Sequence, residues 1–243
     1  MQMTEPQVYK GHDLEVLADL PNYYDWIIEQ FQPYLEGRTM EIGTGIGTIS
    51  KLVFNYTEEL ILIEPSAHLT ECLPPSISDS SKVSIHNETL EQRLPQMADQ
   101  SCDTIIMVNV LEHIEDDGAA IEALHRVLKP GGHLLIFVPA LQFLYSELDR
   151  KHGHFRRYHL APLAYKLNMH GFKINDKRYF DLIGVFPWWL INTLAKKKDF
   201  NPTMAALYDR FFIPVTKCIE RLVSPPLGKN ILIIAEREAH KPD

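Results

Sequence analysis

The sequence predicts one doubly wound α/β domain with a parallel sheet at its centre. Short, continuous apolar runs rich in β-branched residues alternate with helical stretches from about residue 38 to residue 139. Strands buried on both faces of a parallel sheet have this composition, and the βαβα alternation indicates right-handed crossovers. Since 243 residues suffice for one large α/β domain and are slightly few for two, we expect a single domain over residues 1–243.

Five apolar runs predict the parallel strands, and helices fill the segments between them. The runs are 39–42, 60–64, 82–87, 104–109 and 133–139. Residues 114–128 place apolar side chains on one helical face, and Lys129-Pro130-Gly131-Gly132 predicts the end of that helix and a turn. Two later runs, 172–174 and 230–235, predict two further strands.

Helical segments flank this alternation at both ends. Residues 21–35 carry aromatic side chains in a helical stretch and belong to a predicted N-terminal cap, residues 1–37, over one end of the sheet. Residues 181–227 are rich in apolar clusters and prolines, and we interpret them as a helical insertion or lid rather than a second domain. The apolar stripe over 205–223 predicts a helix with a kink at Pro214.

Composition limits the classes of function. The formal net charge is −8 and the isoelectric point is about 5.8, so a basic footprint for phosphate backbones is lacking and a nucleic-acid partner is disfavoured. The three cysteines are far apart, which predicts neither a disulfide framework nor a metal motif. The polar N-terminus and the lack of long apolar runs predict a cytoplasmic chain without a transmembrane helix.

A glycine-rich loop after the first predicted strand predicts a ligand site. Residues 41–47 read Glu-Ile-Gly-Thr-Gly-Ile-Gly, and a helix is expected to begin near Thr48. Glycines allow the backbone to turn sharply and lie close to a ligand, while the first N–H groups of the helix point into the same crevice. In open α/β sheets, ligands bind there, at the carboxyl ends of the strands.

The spacing of this loop departs from the pattern of dinucleotide-binding proteins. In G-x-G-x-x-G the third glycine comes one residue later than Gly47, where this chain has Thr48. Glu41, directly before the loop, suits a cationic ligand better than a pyrophosphate. Glu64 closes the second strand, at about the separation where a carboxylate binds a ribose diol. A tight turn followed by a solvated glutamate is the simpler structural alternative.

With these residues the chain resembles the class I S-adenosylmethionine-dependent methyltransferases, in the group with a type-11 methyltransferase domain. The motifs that carry the resemblance are residues 41–47, Glu64, 108–114 (Val-Asn-Val-Leu-Glu-His-Ile) and 128–132 (Leu-Lys-Pro-Gly-Gly). The resemblance covers residues 20–140 firmly and extends more loosely to residue 243. It implies a Rossmann-like sheet of seven strands with the last strand antiparallel, and S-adenosylmethionine as the cofactor.

The resemblance also implies which residues hold the cofactor. Gly43, Thr44, Gly45 and Gly47 would surround the methionine part, and Glu64 would bind the ribose hydroxyls. The other expected contacts are Pro65 beside Glu64, Glu88 and Thr89 at the adenine, Asn109 and Val110 at the sulfonium, Glu41 before the loop, and Tyr24 and Trp26 as covering aromatic rings.

The acceptor site is expected in a charged stretch after the fifth strand. Residues 149–159 read Asp-Arg-Lys-His-Gly-His-Phe-Arg-Arg-Tyr-His, and the resemblance places them over the open side of the cofactor crevice. An oxygen acceptor often needs a base, for which His154 and Asp149 are the candidates. A loop merely fixed by hydrogen bonds is the alternative. The candidates for substrate contact are His152, Arg156, Arg157, Tyr158 and, from the insertion, Trp188.

Further roles stay open in these regions. A zinc site from His152, His154 and His159 is disfavoured because no cysteine or carboxylate completes a familiar spacing, and we expect no metal. The apolar part of the insertion is expected to form core or lid. The alternatives are a hydrophobic substrate surface, a contact in a homodimer, or a peripheral membrane contact beside Lys196-Lys197-Lys198. We expect a monomer or a homodimer.

The predicted function is therefore methyl transfer from S-adenosylmethionine to a small-molecule acceptor, with oxygen favoured over nitrogen and carbon. One alternative is a non-catalytic, S-adenosylmethionine-binding regulatory module. The other is an NAD-dependent oxidoreductase on a related sheet. Methylation of protein or RNA fits the acidic composition less well.

Overall fold

A computed structural model describes residues 18–196 and 201–239, which form one seven-stranded sheet with helices around it. The strands are β1 (Arg38–Ile42), β2 (Glu59–Ile63), β3 (Val83–His86), β4 (Cys102–Val108), β5 (Leu128–Pro139), β6 (Phe172–Phe180) and β7 (Asn230–Arg237). Their spatial order is β3-β2-β1-β4-β5-β7-β6. The first five are parallel, and β7 lies antiparallel between β5 and β6. The predicted Rossmann-like sheet with an antiparallel last strand is confirmed.

Helices occupy the connections between the strands. They are α1 (Pro21–Phe31), α2 (Thr48–Val53), α3 (Ala67–Thr70), α4 (Pro75–Ser78), α5 (Leu90–Arg93), α6 (Asp117–Val127), α7 (Glu147–Lys151), α8 (Leu160–Met169), α9 (Val185–Trp188), α10 (Pro202–Leu207) and α11 (Ile213–Leu222). Single 3₁₀ turns lie at Gln32–Tyr34, Phe54–Tyr56, Leu94–Gln96, Leu111–His113 and Gln142–Leu144. Residues 1–17 of the predicted cap, and Lys197 and Lys198, lie outside the described residues.

Two strands differ from their predicted bounds. The Lys129–Gly132 stretch, predicted as a turn, belongs to β5, whose first residue pairs with Cys102 across a register shift. β6 extends to Phe180, well beyond the predicted run 172–174. It is an edge strand, and its central side chains alternate between exposed and half-buried positions. Because polar residues therefore occur within β6, a search for continuous apolar runs misses most of it.

Successive strand residues point to opposite faces of the sheet and fill a separate apolar core on each. Met40, Ile61 and Ile105 belong to the core on one face. Leu60 and Ile106 belong to the core on the other face, where α1 also packs. A fully buried aliphatic side chain contributes about 1.5–3 kcal/mol, so the two cores hold the strands in register.

The strand order creates a crevice between β1 and β4. From β1 the chain proceeds outward through β2 and β3 on one side, and then returns to add β4 and β5 on the other side. Backbone loops diverge at such a switch point and leave space beyond the carboxyl ends of the strands. The residues directly after β1 and β4 must therefore line that space.

The helices between β6 and β7 are joined to the N-terminal helix. The buried Asp209 carboxylate accepts the backbone N–H groups of Tyr23 at 2.8 Å and Asn22 at 3.2 Å, and so caps the start of α1. The insertion is interrupted by π-helical turns at Trp189–Leu194 and Tyr208–Phe212. The second turn ends directly before α11, where Pro214 lacks an N–H group, so the irregularity lies just upstream of the predicted kink.

Within residues 18–196 and 201–239, no helix is both long and apolar enough to cross a bilayer.

Candidate functional site

A cleft of about 410 Å³ opens at the carboxyl ends of β1 and β4. This volume lies in the range of small-molecule sites. One part of its wall is the loop that joins β1 to α2, and another is the segment that follows β4. The rest of the lining comes from α1, from residues 152–157 and from the insertion with the start of β7.

The glycine loop presents backbone to the cleft. Gly43, Gly45 and Gly47 have φ angles of 74°, 55° and 82°, the left-handed region that glycine adopts at least cost. The Gly43 N–H donates to the Ile63 carbonyl at 2.8 Å and ties the loop to β2. A Cβ atom at Gly43 would overlap the Val110 side chain. The loop therefore depends on glycine both for its conformation and for its approach to neighbouring residues.

Two predicted cofactor residues shape this loop. The buried Glu64 carboxylate accepts the Gly45 N–H at 2.9 Å and the Ser66 N–H at 3.0 Å. Each of its oxygens retains a lone pair, so binding of a ribose stays a prediction. Glu41 is buried behind the loop, accepts the Ser50 hydroxyl at 2.7 Å and is not among the residues that line the cleft. Its predicted direct contact with a cationic ligand is therefore not supported.

Asn109 lies where β4 ends and lines the cleft. Its φ of 54° is unusual for a residue with a side chain, and its N–H donates to the Phe137 carbonyl at 2.8 Å. Such strained backbone persists only where the surrounding structure holds it, as it often does at binding sites. Asn109 and Gly43 therefore lie on neighbouring strand ends of the same crevice, as predicted from their motifs.

The two aromatic residues predicted to cover the cofactor have different surroundings. Tyr24 lines the cleft, and burial raises its pKa to about 12. Trp26 is buried in the core, where its ring stacks on Phe180 with centroids 3.7 Å apart. The Trp26 prediction is wrong because residues two apart on an α-helix point about 200° away from each other. Tyr23, which the sequence interpretation omitted, lines the cleft and donates its hydroxyl to Asn230 at 2.8 Å.

The residues predicted to hold adenine follow β3 at the same edge of the sheet. Thr89 caps α5 in a reciprocal capping box with Gln92. The Glu88 carboxylate accepts the Gln96 amide at 3.1 Å. Both pairs are local hydrogen bonds, so the contact with adenine stays a prediction for Glu88 and Thr89, as does the contact of the half-buried Pro65.

Three imidazole rings line another part of the cleft. They belong to His113, His152 and His154. The rings of His113 and His154 are nearly perpendicular with centroids 4.6 Å apart, and the His152 ring lies 5.9 Å from that of His154. His154 Nδ1 is 3.0 Å from a carboxylate oxygen of Asp149, which fixes the ring and leaves Nε2 for other contacts.

Asp149 is part of a buried ion pair and is not a base. Its carboxylate accepts Arg157 Nε at 2.8 Å and also the Ser146 N–H at 2.8 Å. Burial would raise its pKa, but the hydrogen bonds from His154 and Arg157 outweigh that effect and lower the pKa to about 2. A carboxylate so stabilised does not take up protons near neutral pH, so the prediction of Asp149 as a catalytic base is wrong. It orients His154 instead.

The predicted anion-binding arginines have protein partners. Arg157 lines the cleft but is 5% exposed, is neutralised by Asp149 and lies over the Trp188 ring at 4.6 Å. Arg156 pairs with Asp117 at 3.3 Å and donates to the Glu115 carbonyl. Neither guanidinium is arranged for an anionic substrate, which corrects both predictions.

Tyr158 is likewise a structural residue. It is buried, and its hydroxyl lies 3.0 Å from the Asp117 carboxylate and 3.1 Å from the Leu111 carbonyl. It joins the segment after β4 to the start of α8, so its predicted substrate contact is not supported. Trp188 and His152 do line the cleft, and their contact with a substrate stays a prediction.

The structure adds side chains that the sequence interpretation missed. In the sequence His113 is marked only as part of a family motif, yet its ring lines the cleft, and its neighbour Glu112 is buried. Tyr208, Lys229 and Asn230 also line the cleft. No local pattern marks these three, because they arrive from the insertion and from the start of β7.

The three histidines of the disfavoured zinc site, His152, His154 and His159, do not form one site either. His159 is exposed at the start of α8. Among the residues that the structure describes, Glu112, His113 and His154 instead bring one possible ligand atom each within 4.8 Å of one another. Burial lowers the pKa of His113 to about 3 and raises that of Glu112 to about 8.

Comparison with known proteins agrees with this geometry. A family model described as a methyltransferase domain (type 11) matches residues 40–136. A segment of a protein from Dictyostelium discoideum named "Probable polyketide synthase 40" is 28% identical over 130 residues, covering 45% of this chain. The match spans only 5% of that relative's length.

Solved structures share the fold. An S-adenosylmethionine-dependent methyltransferase from Mesorhizobium loti has a TM-score of 0.64 at 15% identity, covering 90% of this chain and 100% of that one. The N-methyltransferase NodS from Bradyrhizobium japonicum, in complex with S-adenosyl-L-homocysteine, has a TM-score of 0.59 at 15% identity, covering 95% and 94%. An S-adenosylmethionine-dependent methyltransferase from Archaeoglobus fulgidus has a TM-score of 0.60 at 17% identity, covering 90% of this chain and 94% of that one.

The family model shows a methyltransferase domain over residues 40–136, and the sheet order is that of the fold shared with these solved S-adenosylmethionine-dependent methyltransferases. This domain is of type 11. The matched residues contain β1, the loop, Glu64 and Asn109, which are the elements predicted to hold the cofactor. The matches favour S-adenosylmethionine over NAD, against the oxidoreductase alternative.

Proposed function

We propose that the chain transfers the methyl group of S-adenosylmethionine to an oxygen atom of a small molecule. The observation that carries this proposal is one cleft with two chemically different parts of its lining. The bare backbone of residues 43–47 suits a nucleoside cofactor at close range, and a group of imidazoles suits an acceptor that must lose a proton. The match to a segment of a polyketide synthase supports a small-molecule acceptor.

The residues present fit the cofactor. The Thr44 hydroxyl is buried without a hydrogen-bond partner on the cleft wall, and Gly43 and Gly45 line the same wall without side chains. S-adenosylmethionine supplies a methyl carbon that bonds to the acceptor oxygen while the electron pair of the broken C–S bond stays on sulfur. Position and exclusion of water are the main contributions of the protein.

His154 is the group that we assign to the acceptor proton. Burial lowers the pKa of this imidazole and so favours its neutral form, which is the form that can accept a proton. The Asp149 carboxylate at Nδ1 fixes the tautomer and stabilises the positive charge that the ring acquires. Asp149 is thus a positioning residue, and His154 contacts the acceptor.

Calorimetry and turnover assays test this function separately. S-adenosylmethionine should bind and NAD should not. With a panel of hydroxyl, amine and carbon acceptors, a hydroxyl compound should gain one methyl group as the demethylated cofactor forms. Binding without turnover of any acceptor would support the regulatory alternative, and methylation at nitrogen would contradict the preference for oxygen.

A matched pair of histidine variants tests the site. His154→Ala should lower kcat about 100-fold or more, the typical size of a general-base effect, while leaving cofactor affinity unchanged. His159→Ala is the control, since His159 is exposed outside the cleft in the same charged stretch. Equal activity of the two variants would remove His154 from the acceptor site.

We also propose that the exposed apolar surface of the insertion contacts lipid at a membrane surface. An apolar acceptor would then reach the cleft from the membrane. Large apolar side chains on it are at least two-fifths exposed. A patch of this kind beside a cleft is typical of an interaction site. These side chains are Phe186, Leu190, Leu194, Met204, Leu207, Phe211, Phe212, Val215, Ile219 and Leu222.

Cosedimentation with lipid vesicles tests this contact. The wild-type protein should bind them, and Leu207→Ser with Phe211→Ser should weaken binding about tenfold, because two exposed apolar side chains are removed. Tyr56→Ser, an exposed aromatic on a 3₁₀ turn elsewhere, is the control. A concentration-dependent dimer without vesicle binding would instead support the homodimer contact.

A further inference from the structure

Three potential metal ligands meet beside the acceptor part of the cleft. One ligand atom each of Glu112, His113 and His154 lies within 4.8 Å of the others. Glu112 and His113 belong to the 3₁₀ turn that follows β4, and His154 arrives from the loop after α7. Two imidazoles and one carboxylate form a donor set that binds zinc and other divalent transition metals.

The Glu112 carboxylate is an independent indication of a ligand. The residue is completely buried, yet neither of its side-chain oxygens has a hydrogen-bond partner. An unpartnered buried carboxyl group is costly, and such groups in native proteins call for an explanation such as an absent ion. The cationic side chain that acts electrostatically on Glu112, Arg157, is already paired with Asp149.

The surroundings of His154 have the form of a second coordination shell. Its Nδ1 contacts the Asp149 carboxylate at 3.0 Å, and Asp149 is itself held by Arg157 and Ser146. Metal-binding histidines almost always donate their other ring N–H to such a carboxylate, which fixes the tautomer and ring orientation. The remaining nitrogen, Nε2, is then the one available to a metal.

We propose that Glu112, His113 and His154 bind a divalent transition-metal cation, of which Zn²⁺ is the representative, with a fourth position open to the acceptor oxygen. Tetrahedral ligands at about 2.1 Å from zinc are roughly 3.4 Å apart, so the three side chains need to approach one another by about an ångström. Catalytic zinc sites have this composition, with three protein ligands and one open position.

This assignment deepens the proposed function and relies on it for the nature of the acceptor. A cation held by these residues would stabilise the deprotonated form of an acceptor hydroxyl group near neutral pH, with the proton passing to water. The acceptor oxygen would then bond to the methyl carbon, while the electron pair of the broken C–S bond stays on sulfur. In the loaded protein His154 acts as a ligand, and its role as a base belongs to the protein without metal.

Metal binding is measured directly on tag-free protein, independently of turnover. Elemental analysis after dialysis against Zn²⁺ should find one equivalent per chain, and Co²⁺ substitution should give the visible spectrum of a four- or five-coordinate site. Mg²⁺ and Ca²⁺, which prefer oxygen ligands, should not compete. If dialysed protein holds no zinc and the Co²⁺ spectrum is that of the free ion, the proposal is overturned.

Variants separate this site from adventitious binding. Glu112→Gln and His113→Ala should each weaken Zn²⁺ affinity about 100-fold or more, and Asp149→Asn about 10–100-fold. His159→Ala should leave the affinity unchanged. Unchanged affinity in both ligand variants would overturn the site, as would loss in the control.

Calorimetry with S-adenosylmethionine keeps the two proposals distinguishable. Glu112→Gln should bind the cofactor as the wild type does, since Glu112 is not among the residues that line the cleft. Normal cofactor binding also shows that the variant is folded. Zinc binding without methyl transfer would contradict the proposed function alone, and methyl transfer unaffected by a chelator would contradict the metal site alone.

Discussion

The two proposed parts of the cleft, a cofactor side and an acceptor side, are built in different ways. The cofactor side consists mainly of one continuous loop, residues 43–47, whose backbone is tied to β2 by hydrogen bonds. The acceptor side consists of side chains from distant parts of the chain. These are His113 after β4, His152 and His154 after α7, Trp188 and Tyr208 from the insertion, and Lys229 before β7.

This difference determines where each side is sensitive to change. A backbone site fails when a side chain is added, because there is no space and no permitted conformation for it. A side-chain site fails when a partner is removed, because buried charges and hydrogen bonds then lose their compensation. The two kinds of substitution should therefore have different consequences, and measuring both tests the contrast.

The largest effect is expected for Gly43→Ala. The methyl group would overlap Val110 at a φ of 74°, so the loop must move, and affinity for S-adenosylmethionine should fall at least about 100-fold. Gly131→Ala is a matched control, since Gly131 has a φ of 82° and no atom within 4 Å of the added carbon. Isothermal titration calorimetry measures both. If both variants bound S-adenosylmethionine with the same affinity, the overlap at Gly43 would have no specific effect on cofactor binding.

On the acceptor side, Asp149→Asn should reduce the free energy of unfolding by about 3–5 kcal/mol. The substitution leaves the buried Arg157 guanidinium without a counter-charge. Arg150→Ala breaks an exposed pair with Glu147 in the same helix and should cost less than about 1 kcal/mol. Urea denaturation measures both values. Similar losses in the two variants would mean that burial of the ion pair contributes nothing.

Glu41, beneath the cofactor loop, predicts a pH dependence of stability. Burial raises the pKa of this carboxyl group from 4.5 to about 8. The folded chain therefore retains a proton that the unfolded chain loses near pH 4.5, so the contribution of Glu41 is full below that pH and is lost as pH rises through about 8. Relative to wild type, Glu41→Gln should gain stability between about pH 5 and pH 8.5. A constant difference across urea denaturations in that range would contradict the raised pKa.

The smallest effect is expected for Thr89→Ala. Loss of the cap of α5 should cost about 1 kcal/mol of stability. Because the Thr89 side chain is used in the capping box, cofactor affinity should change less than about threefold. A tenfold loss of affinity in calorimetry would instead assign this hydroxyl to the adenine and extend the cofactor side beyond the glycine loop.

The sequence was informative wherever a feature is local. The strands that are buried on both faces appear as apolar runs, and the loop over 43–47 appears as closely spaced glycines directly after one of them. Both interpretations agree with the structure because the physical cause lies within a few residues of the pattern. β6 was mostly missed for the converse reason, since the environment of an edge strand depends on what lies beside it.

What each charged residue does was decided only by the tertiary structure. By itself, the sequence determined the sheet, the glycine loop and the presence of many polar side chains over 149–159. It did not separate Asp149, Arg157 and Tyr158, which are buried and paired, from His154, which lines the cleft. Nor did it join Glu112 and His113 to His154, about 40 residues later in the chain. Burial and partner choice depend on contacts between distant segments, and these arise only when the sheet has brought the ends of its strands together.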